Sequence, residues 1–183
     1  LTTGALSFAV AASLTALSCA AASPNVNAAE TSMHAAMARD LSIDAARLPQ
    51  YLATDTRGYS IAAQAPAAAG PAFAGHWIEA GNDGVFRNVV AVANPTAVAR
   101  VRSLGADVRV VDYALAQLEA TSVALRRKNA VRFASNGIAS WYVDVKTNRV
   151  VVTALPGQLA IARATATSAL GDVGMRSVRM IEE

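Results

Sequence analysis

The change of hydrophobic period along residues 105–183 is the feature that most limits the fold of this chain. A repeat of two residues predicts four strands, at 106–111, 138–145, 149–155 and 175–181. A repeat near four predicts two helices, at 113–128 (capped by Asp112) and 158–170. This order of strand, helix, strand, strand, helix and strand is that of a ferredoxin-like βαββαβ sheet with helices on one face. We therefore predict an α+β protein with two small lobes, the C-terminal one being this sheet.

A second hairpin is predicted upstream. Residues 73–79 alternate, Gly81 to Gly84 favour a tight turn, and an apolar run follows at 85–93. Asn94 and the proline after it then predict a short helix. This hairpin echoes the one at 138–155, although the sequence does not show a repeat.

The region before the first hairpin is predicted to contain separate helical segments. A short amphipathic helix capped by Ser32 is expected at 31–41, and a second helical piece at 48–54. Prolines predict a broken helix or a linker at 56–71. The predicted organisation is a signal peptide at 1–29, an N-terminal helical segment and linker at 30–72, and α+β lobes at 73–183.

The N-terminus has the character of a secretory signal. No charged residue precedes Glu30, and residues 5–22 are apolar but diluted by serine and threonine. Small residues allow cleavage before Ser23 or Ala29, and lipidation at Cys19 is the alternative. We expect an extracellular, secreted protein with no membrane contact beyond its signal peptide. Cys19 is the sole cysteine, so no disulfide can form within the chain. The stability of the folded protein must therefore come from packing.

Residues for catalysis or for cofactor binding are missing from the sequence. The chain has two histidines, His34 and His76, and no Gly-x-Ser-x-Gly, phosphate-loop or His-Glu-x-x-His motif. No cofactor, metal site or catalytic residue is therefore expected. The 16 basic residues are dispersed and aromatic residues make up only 5%, which argues against a nucleic-acid partner.

An aromatic pair inside a predicted strand is the best candidate for a binding surface. Trp141 and Tyr142 must point to opposite faces of the sheet, and helices cover only one face. One ring is thus expected at the open face, where aromatic residues favour protein contacts. We predict partner binding by Trp141, Tyr142, Val143 and Asp144; burial of the pair in the core is the alternative.

Several strings in this order resemble the pro-region of the alpha-lytic-type, chymotrypsin-like secreted bacterial serine proteases. The resemblance covers approximately residues 33–183. The strings that carry it are Met37-Ala38-Arg39-Asp40-Leu41, Leu48-Pro49-Gln50-Tyr51-Leu52, Phe73-Ala74-Gly75-His76-Trp77-Ile78-Glu79, Asp83-Gly84-Val85-Phe86, and Ser140-Trp141-Tyr142-Val143-Asp144 followed by Asn148 and Val150-Val151-Val152. Pro66 and Pro71 depart from the family, which uses this segment as a helix.

The resemblance implies a pro-segment that assists the folding of its cognate serine protease domain and then inhibits it. It further implies that the C-terminal sheet adds edge to edge to a protease hairpin, with Trp141 and Tyr142 as anchors, and that a tail beyond the last strand fills the active site. The tail and the protease domain are expected outside residues 1–183, so this chain is not expected to be an enzyme. The alternative is an independent secreted or lipid-anchored binding module.

Overall fold

A computed structural model describes residues 26–129 and 136–182. Cys19 and the apolar stretch 5–22 lie outside the described residues, so the predictions made for them stay predictions. The chain divides into two compact units, residues 1–45 and 46–183. Among the described helices, none combines the length and apolar character needed to cross a bilayer.

The first unit contains helix α1, Val26–Asp40. The predicted helix is confirmed, but Ser32 lies inside it and is not the N-cap. At the C-terminal end the main-chain N–H of Ile43 donates to the carbonyl of Ala38 over 2.9 Å. Ser42 takes a left-handed conformation there, with φ of 54°, which ends the helix.

In the second unit, helix α2 runs without a break over Leu48–Ala69. The predicted break or linker at 56–71 is therefore wrong up to residue 69. Pro66 removes one main-chain hydrogen bond, the one to the carbonyl of Ala62, and because it lies in the last turn only three helical residues follow it. Ala65 and Ala69 in the same turn are buried, and their packing holds the end of the helix in place.

Sheet A is the first of two three-stranded sheets. Its strands are β1 (Phe73–Ala80), β2 (Phe86–Val92) and β3 (Asp107–Val110), in that order. The predicted hairpin is confirmed as the antiparallel pair of β1 and β2. Helix α3, Val98–Arg102, connects β2 to β3, and such a crossover makes these two strands parallel. Helices α2 and α3 both pack on one face of sheet A.

A cap predicted from sequence starts this crossover. The side-chain oxygen of Asn94 accepts the N–H of Thr96 over 3.0 Å. Pro95 then begins a 3-10 turn that leads into α3.

Sheet B forms the C-terminal lobe with two helices on one face. The elements are α4 (Leu115–Asn129), β4 (Ile138–Asp144), β5 (Arg149–Ala154), α5 (Leu159–Met175) and β6 (Val178–Glu182). The strand order is β4-β5-β6, with β4 antiparallel and β6 parallel to β5. Leu118, Leu125, Ala162 and Ala166 are fully buried between the helices and this sheet. The α+β class with a sheet-and-helix C-terminal lobe is confirmed.

One strand joins a different sheet from the one predicted. The sequence pattern predicts residues 106–111 as a strand of the C-terminal sheet, but β3 lies in sheet A beside β2. The physical reason is the crossover through α3, which returns the chain to the hairpin it has just left. Sheet B consequently has three strands within the described residues.

The two helices of this lobe differ in how well their ends were predicted. Gly171, with φ of 65°, interrupts α5 where the sequence predicted its end. The predicted cap of α4 by Asp112 is wrong, because its carboxylate accepts from Arg149 Nη2 over 3.0 Å. The N–H of Ala114 donates instead to the side-chain oxygen of Gln117.

The two halves of the second unit share one topology. Each runs helix, strand, strand, helix, strand, and each has an irregularity near the start of its first strand, between Phe73 and Gly75 and between Ile138 and Ser140. The echo seen in sequence is thus a repeat at the level of structure. Aligned by register, Trp77 corresponds to Tyr142 and Asp107 corresponds to Arg179.

The halves are joined by the turn between β4 and β5. The buried side chain of Asn148 accepts the N–H of Tyr113 over 2.8 Å and donates to the carbonyl of the same residue over 2.7 Å. Asn148 holds a left-handed φ of 54°, which asparagine adopts more readily than most residues. The Arg149 guanidinium adds the ion pair with Asp112 and stacks 5.1 Å from the centre of the Tyr113 ring.

The same turn packs directly on sheet A. Val145 contacts the cluster formed by Ala74, Trp77, Val89 and Ala91 on the face opposite α2. Gly75 permits this approach, because a β-carbon at its position would lie 2.6 Å from Cβ of Val145. The second half therefore covers the second face of sheet A.

We expect substitutions of Asn148 to weaken this junction in a graded way. Asn148→Ala loses both hydrogen bonds and puts a less suited residue at positive φ, so the free energy of unfolding should fall by about 2 to 3 kcal/mol. Asn148→Gly loses only the hydrogen bonds and should cost about 1 to 2 kcal/mol. Urea denaturation of the three proteins measures both values. Equal stability of all three would contradict the role assigned to this side chain.

Candidate docking surface

The predicted partner-binding residues divide between the two faces of β4. Trp141 and Val143 point to the helices and pack, partly buried, against the core of sheet B. Tyr142 points to the opposite face and is 52% exposed. The strand therefore offers one of the two aromatic rings for contact, as the alternation of side chains requires.

Asp144 ends the strand and orders the turn that follows it. Its carboxylate accepts the main-chain N–H groups of Lys146 and Thr147 over 2.9 and 3.3 Å, and the Thr147 hydroxyl over 2.7 Å. Partial desolvation raises the pKa of Asp144, but the hydrogen bonds from Thr147 and Lys146 together outweigh it, so the pKa lies below its usual value. Asp144 thus shapes the turn that carries Val145 and Asn148.

This lowered pKa predicts a stability difference in acid. A carboxyl with a lower pKa in the folded state stabilises the protein above its unfolded pKa of about 4, and the effect is lost as pH falls through the folded value. Asp144→Asn retains an oxygen for the N–H groups but cannot titrate. We expect its unfolding free energy to vary less than wild type between about pH 4.5 and pH 2, by about 0.5 kcal/mol or less, since the group is largely in water.

Chemical denaturation across this pH range measures the difference. The pKa of Asp83 is also lowered, first by its hydrogen bond from Arg87, but that effect is present in both proteins and cancels. Identical pH profiles would contradict the contribution of Asp144.

Residues that sequence reasoning missed lie beside Tyr142 on the open face. Cross-strand register places Val151 next to Tyr142, and Arg179 next to Val151. Ser140, Thr153 and Ile181 form the neighbouring row. The alternation of side chains along β6 can be predicted from the sequence. Which residues of β6 share a face with Tyr142 follows only from the strand order and register of sheet B.

Sheet B also has two strands with a free side. Within the described residues, β4 and β6 each pair with β5 alone. Unpaired main-chain groups along an edge strand can accept another strand. The lobe therefore offers the exposed ring of Tyr142 and two strand edges to a partner.

One of the two histidines, His76, belongs to a hydrogen-bonded chain of side chains. His76 Nε2 lies 3.0 Å from the side-chain oxygen of Asn88, whose amide donates to the carbonyl of Thr54 over 2.9 Å. This chain of contacts links β1 and β2 to α2, which is a structural task. No cluster of His, Cys, Asp and Glu suited to a metal is found in residues 26–129 and 136–182.

Two of the strings behind the family resemblance meet in the structure. Tyr51 packs edge to face on Phe86 with ring centroids 5.3 Å apart, and the Arg47 guanidinium stacks 4.5 Å from the same ring. A third string supplies Trp77 and Glu79, joined by a hydrogen bond of 2.8 Å. These residues hold the lobe of sheet A together.

Comparison with known proteins finds the same division into halves. Residues 46–111 match the family model described as alpha-lytic protease pro N-terminal, and residues 113–172 match the alpha-lytic protease prodomain. The boundary falls between sheet A and the elements of sheet B. These two consecutive matches together cover more than half of the chain. The chain therefore belongs to the pro-region family of alpha-lytic-type bacterial serine protease precursors.

A curated relative agrees with this assignment. The chain is 33% identical over 137 residues to Streptogrisin-C from Streptomyces griseus, an alignment that covers 74% of this chain. It covers 29% of that relative, so the chain spans less than a third of its length.

Proposed function

We propose that this chain is the pro-segment of a secreted serine endopeptidase precursor and acts as the intramolecular folding catalyst and inhibitor of its protease domain. Membership of the pro-region family supports the proposal, together with the exposed Tyr142 on an open sheet face. The chain itself is not the enzyme, since the proteolytic residues belong to the protease domain. The precursor is exported, as the apolar N-terminus indicates.

A docking partner of this kind answers a physical problem of such proteases. A secreted protease survives by unfolding slowly, so its stability is a matter of a high barrier. Proteins dominated by non-local strand pairings also fold slowly. A partner that binds the partly folded protease lowers the folding barrier, and the same contacts retained in the folded complex block the enzyme.

Sheet B is the proposed docking lobe. Its free edges can pair with a strand of the protease, as the family resemblance implies, through main-chain hydrogen bonds. Tyr142 then anchors the adjoining face. Trp141, Val143 and Asp144 support the surface from within, through the core and through the turn after β4.

Refolding separates this function from that of an independent binding module. A denatured alpha-lytic-type protease domain from the cognate precursor is diluted with and without the purified chain, and active sites are titrated after removal of the chain by limited proteolysis. We expect active sites only when the chain is present. A complex that forms without any gain in active sites would favour the binding module, and no complex at micromolar concentration would contradict the proposal.

The neighbouring aromatic residues of β4 provide a matched pair of variants. Tyr142→Ala should leave the free energy of unfolding within about 0.5 kcal/mol of wild type, because the side chain is exposed. It should weaken protease binding about tenfold or more, as loss of an aromatic anchor does. Trp141→Ala should instead lower stability by about 2 to 3 kcal/mol through lost core packing.

Calorimetry of binding and urea denaturation give the two quantities for each variant. Unchanged binding by Tyr142→Ala, at unchanged stability, would contradict the assignment of Tyr142 as an anchor.

A further inference from the structure

The repeated topology provides an internal comparison for the open face of sheet B. The aromatic residue at this position of the first half, Trp77, is 7% exposed, whereas its counterpart Tyr142 is 52% exposed. In the first half the face is covered by Val145 from the second half and by Val111 from the connecting segment. The same face therefore already receives aliphatic side chains in one half of this protein.

Charged groups on the covered face are arranged in pairs. Arg109 Nη2 lies 2.7 Å from Glu79 Oε1, and its guanidinium stacks 5.0 Å from the centre of the Trp77 ring. Asp107 at the other end of the row lies 3.6 Å from Arg87 Nε. Every charge beside the Trp77 row thus has an opposite charge within the chain.

The face of sheet B that carries Tyr142 has one charged side chain, Arg179, without an oppositely charged partner among the described residues. Arg179 replaces Asp107 at the end of the row, and it is exposed, with no hydrogen bond or ion pair to its guanidinium among the described residues. The other charged groups near this face are engaged. Asp144 binds the turn at Thr147, and Arg149 binds Asp112.

The row Tyr142, Val151 and Arg179 has the composition of an interface centre. Adjacent strands lie about 4.8 Å apart, so Tyr142 and Arg179 stand roughly 10 Å apart on either side of Val151. Val151, which lies between them, is 3% exposed. Tyrosine and arginine around a buried aliphatic residue are the side chains that dominate binding energy at protein interfaces.

We propose that Arg179 recognises an aspartate or glutamate of the protease domain, placed next to an aliphatic side chain that packs against the exposed ring of Tyr142. The inference rests on the proposed function, which supplies the partner. A planar guanidinium binds a carboxylate through two parallel hydrogen bonds, which fixes the orientation of the partner as well as its affinity. The aliphatic neighbour would lie beside Tyr142 as Val145 lies beside its counterpart Trp77 on sheet A.

The test compares charge variants of Arg179 with a matched arginine on the helical side of the lobe. Arg179→Glu should weaken binding of the cognate protease domain about tenfold or more, and Arg179→Lys should recover part of that loss. Arg163→Glu, an equal change of charge at an exposed position of α5, should stay within about twofold of wild type. Binding is measured at three salt concentrations, and Arg179→Gln should show a weaker salt dependence than wild type.

The outcomes distinguish this inference from the function on which it rests. If wild type binds and Arg179→Glu binds equally well, the recognition of a carboxylate by Arg179 is wrong, while the docking function stands. If Arg163→Glu loses as much affinity as Arg179→Glu, net charge alone explains the effect and the inference is overturned. If wild type does not bind the protease domain at all, both fail. Circular dichroism and thermal unfolding of each variant confirm that the lobe is folded.

Discussion

The hydrogen bonds between Asn148 and the main chain of Tyr113 are the contacts on which the arrangement of the second unit depends. They fix the turn after β4 against the segment that leaves sheet A. This turn places Val145 over Gly75, and Val145 can come so close only because Gly75 has no side chain. One buried asparagine at positive φ therefore decides which surface of the first half is covered by the second.

This arrangement explains why two halves of the same topology have different surfaces. Sheet A is covered on one face by α2 and α3 and on the other by the turn of the second half. Sheet B receives α4 and α5 on one face, and Tyr142 on its other face is 52% exposed. A pro-region that must bind another domain benefits from this asymmetry, because the ring of Trp77 is buried in the first half while the ring of Tyr142 stays exposed in the second.

Local patterns were sufficient to predict the elements, and they failed where distant contacts decide. The hairpin at 73–93, the Asn94 cap and the interruption of α5 at Gly171 follow from short-range rules of turns and caps. The course of β3 could not be predicted, because its pairing depends on the crossover through α3. Helix α2 continues past Pro66 because the buried side chains of Ala65 and Ala69 stabilise its last turn. Arg179 stands in no motif, and only the sheet register brings it to the row of Tyr142.

The proposed docking of the protease domain on the face of sheet B that carries Tyr142 is tested most directly by thiol protection. In a Cys19→Ser background, Ser140→Cys puts one thiol beside the Tyr142 row, and Ser168→Cys puts one on the exposed surface of α5. Both replacements change little in size, so docking is not itself disturbed. The rate of alkylation is measured for each with and without the protease domain. The account predicts strong protection of the thiol at position 140 and none at position 168. Equal labelling of position 140 in the free chain and in the complex would contradict it.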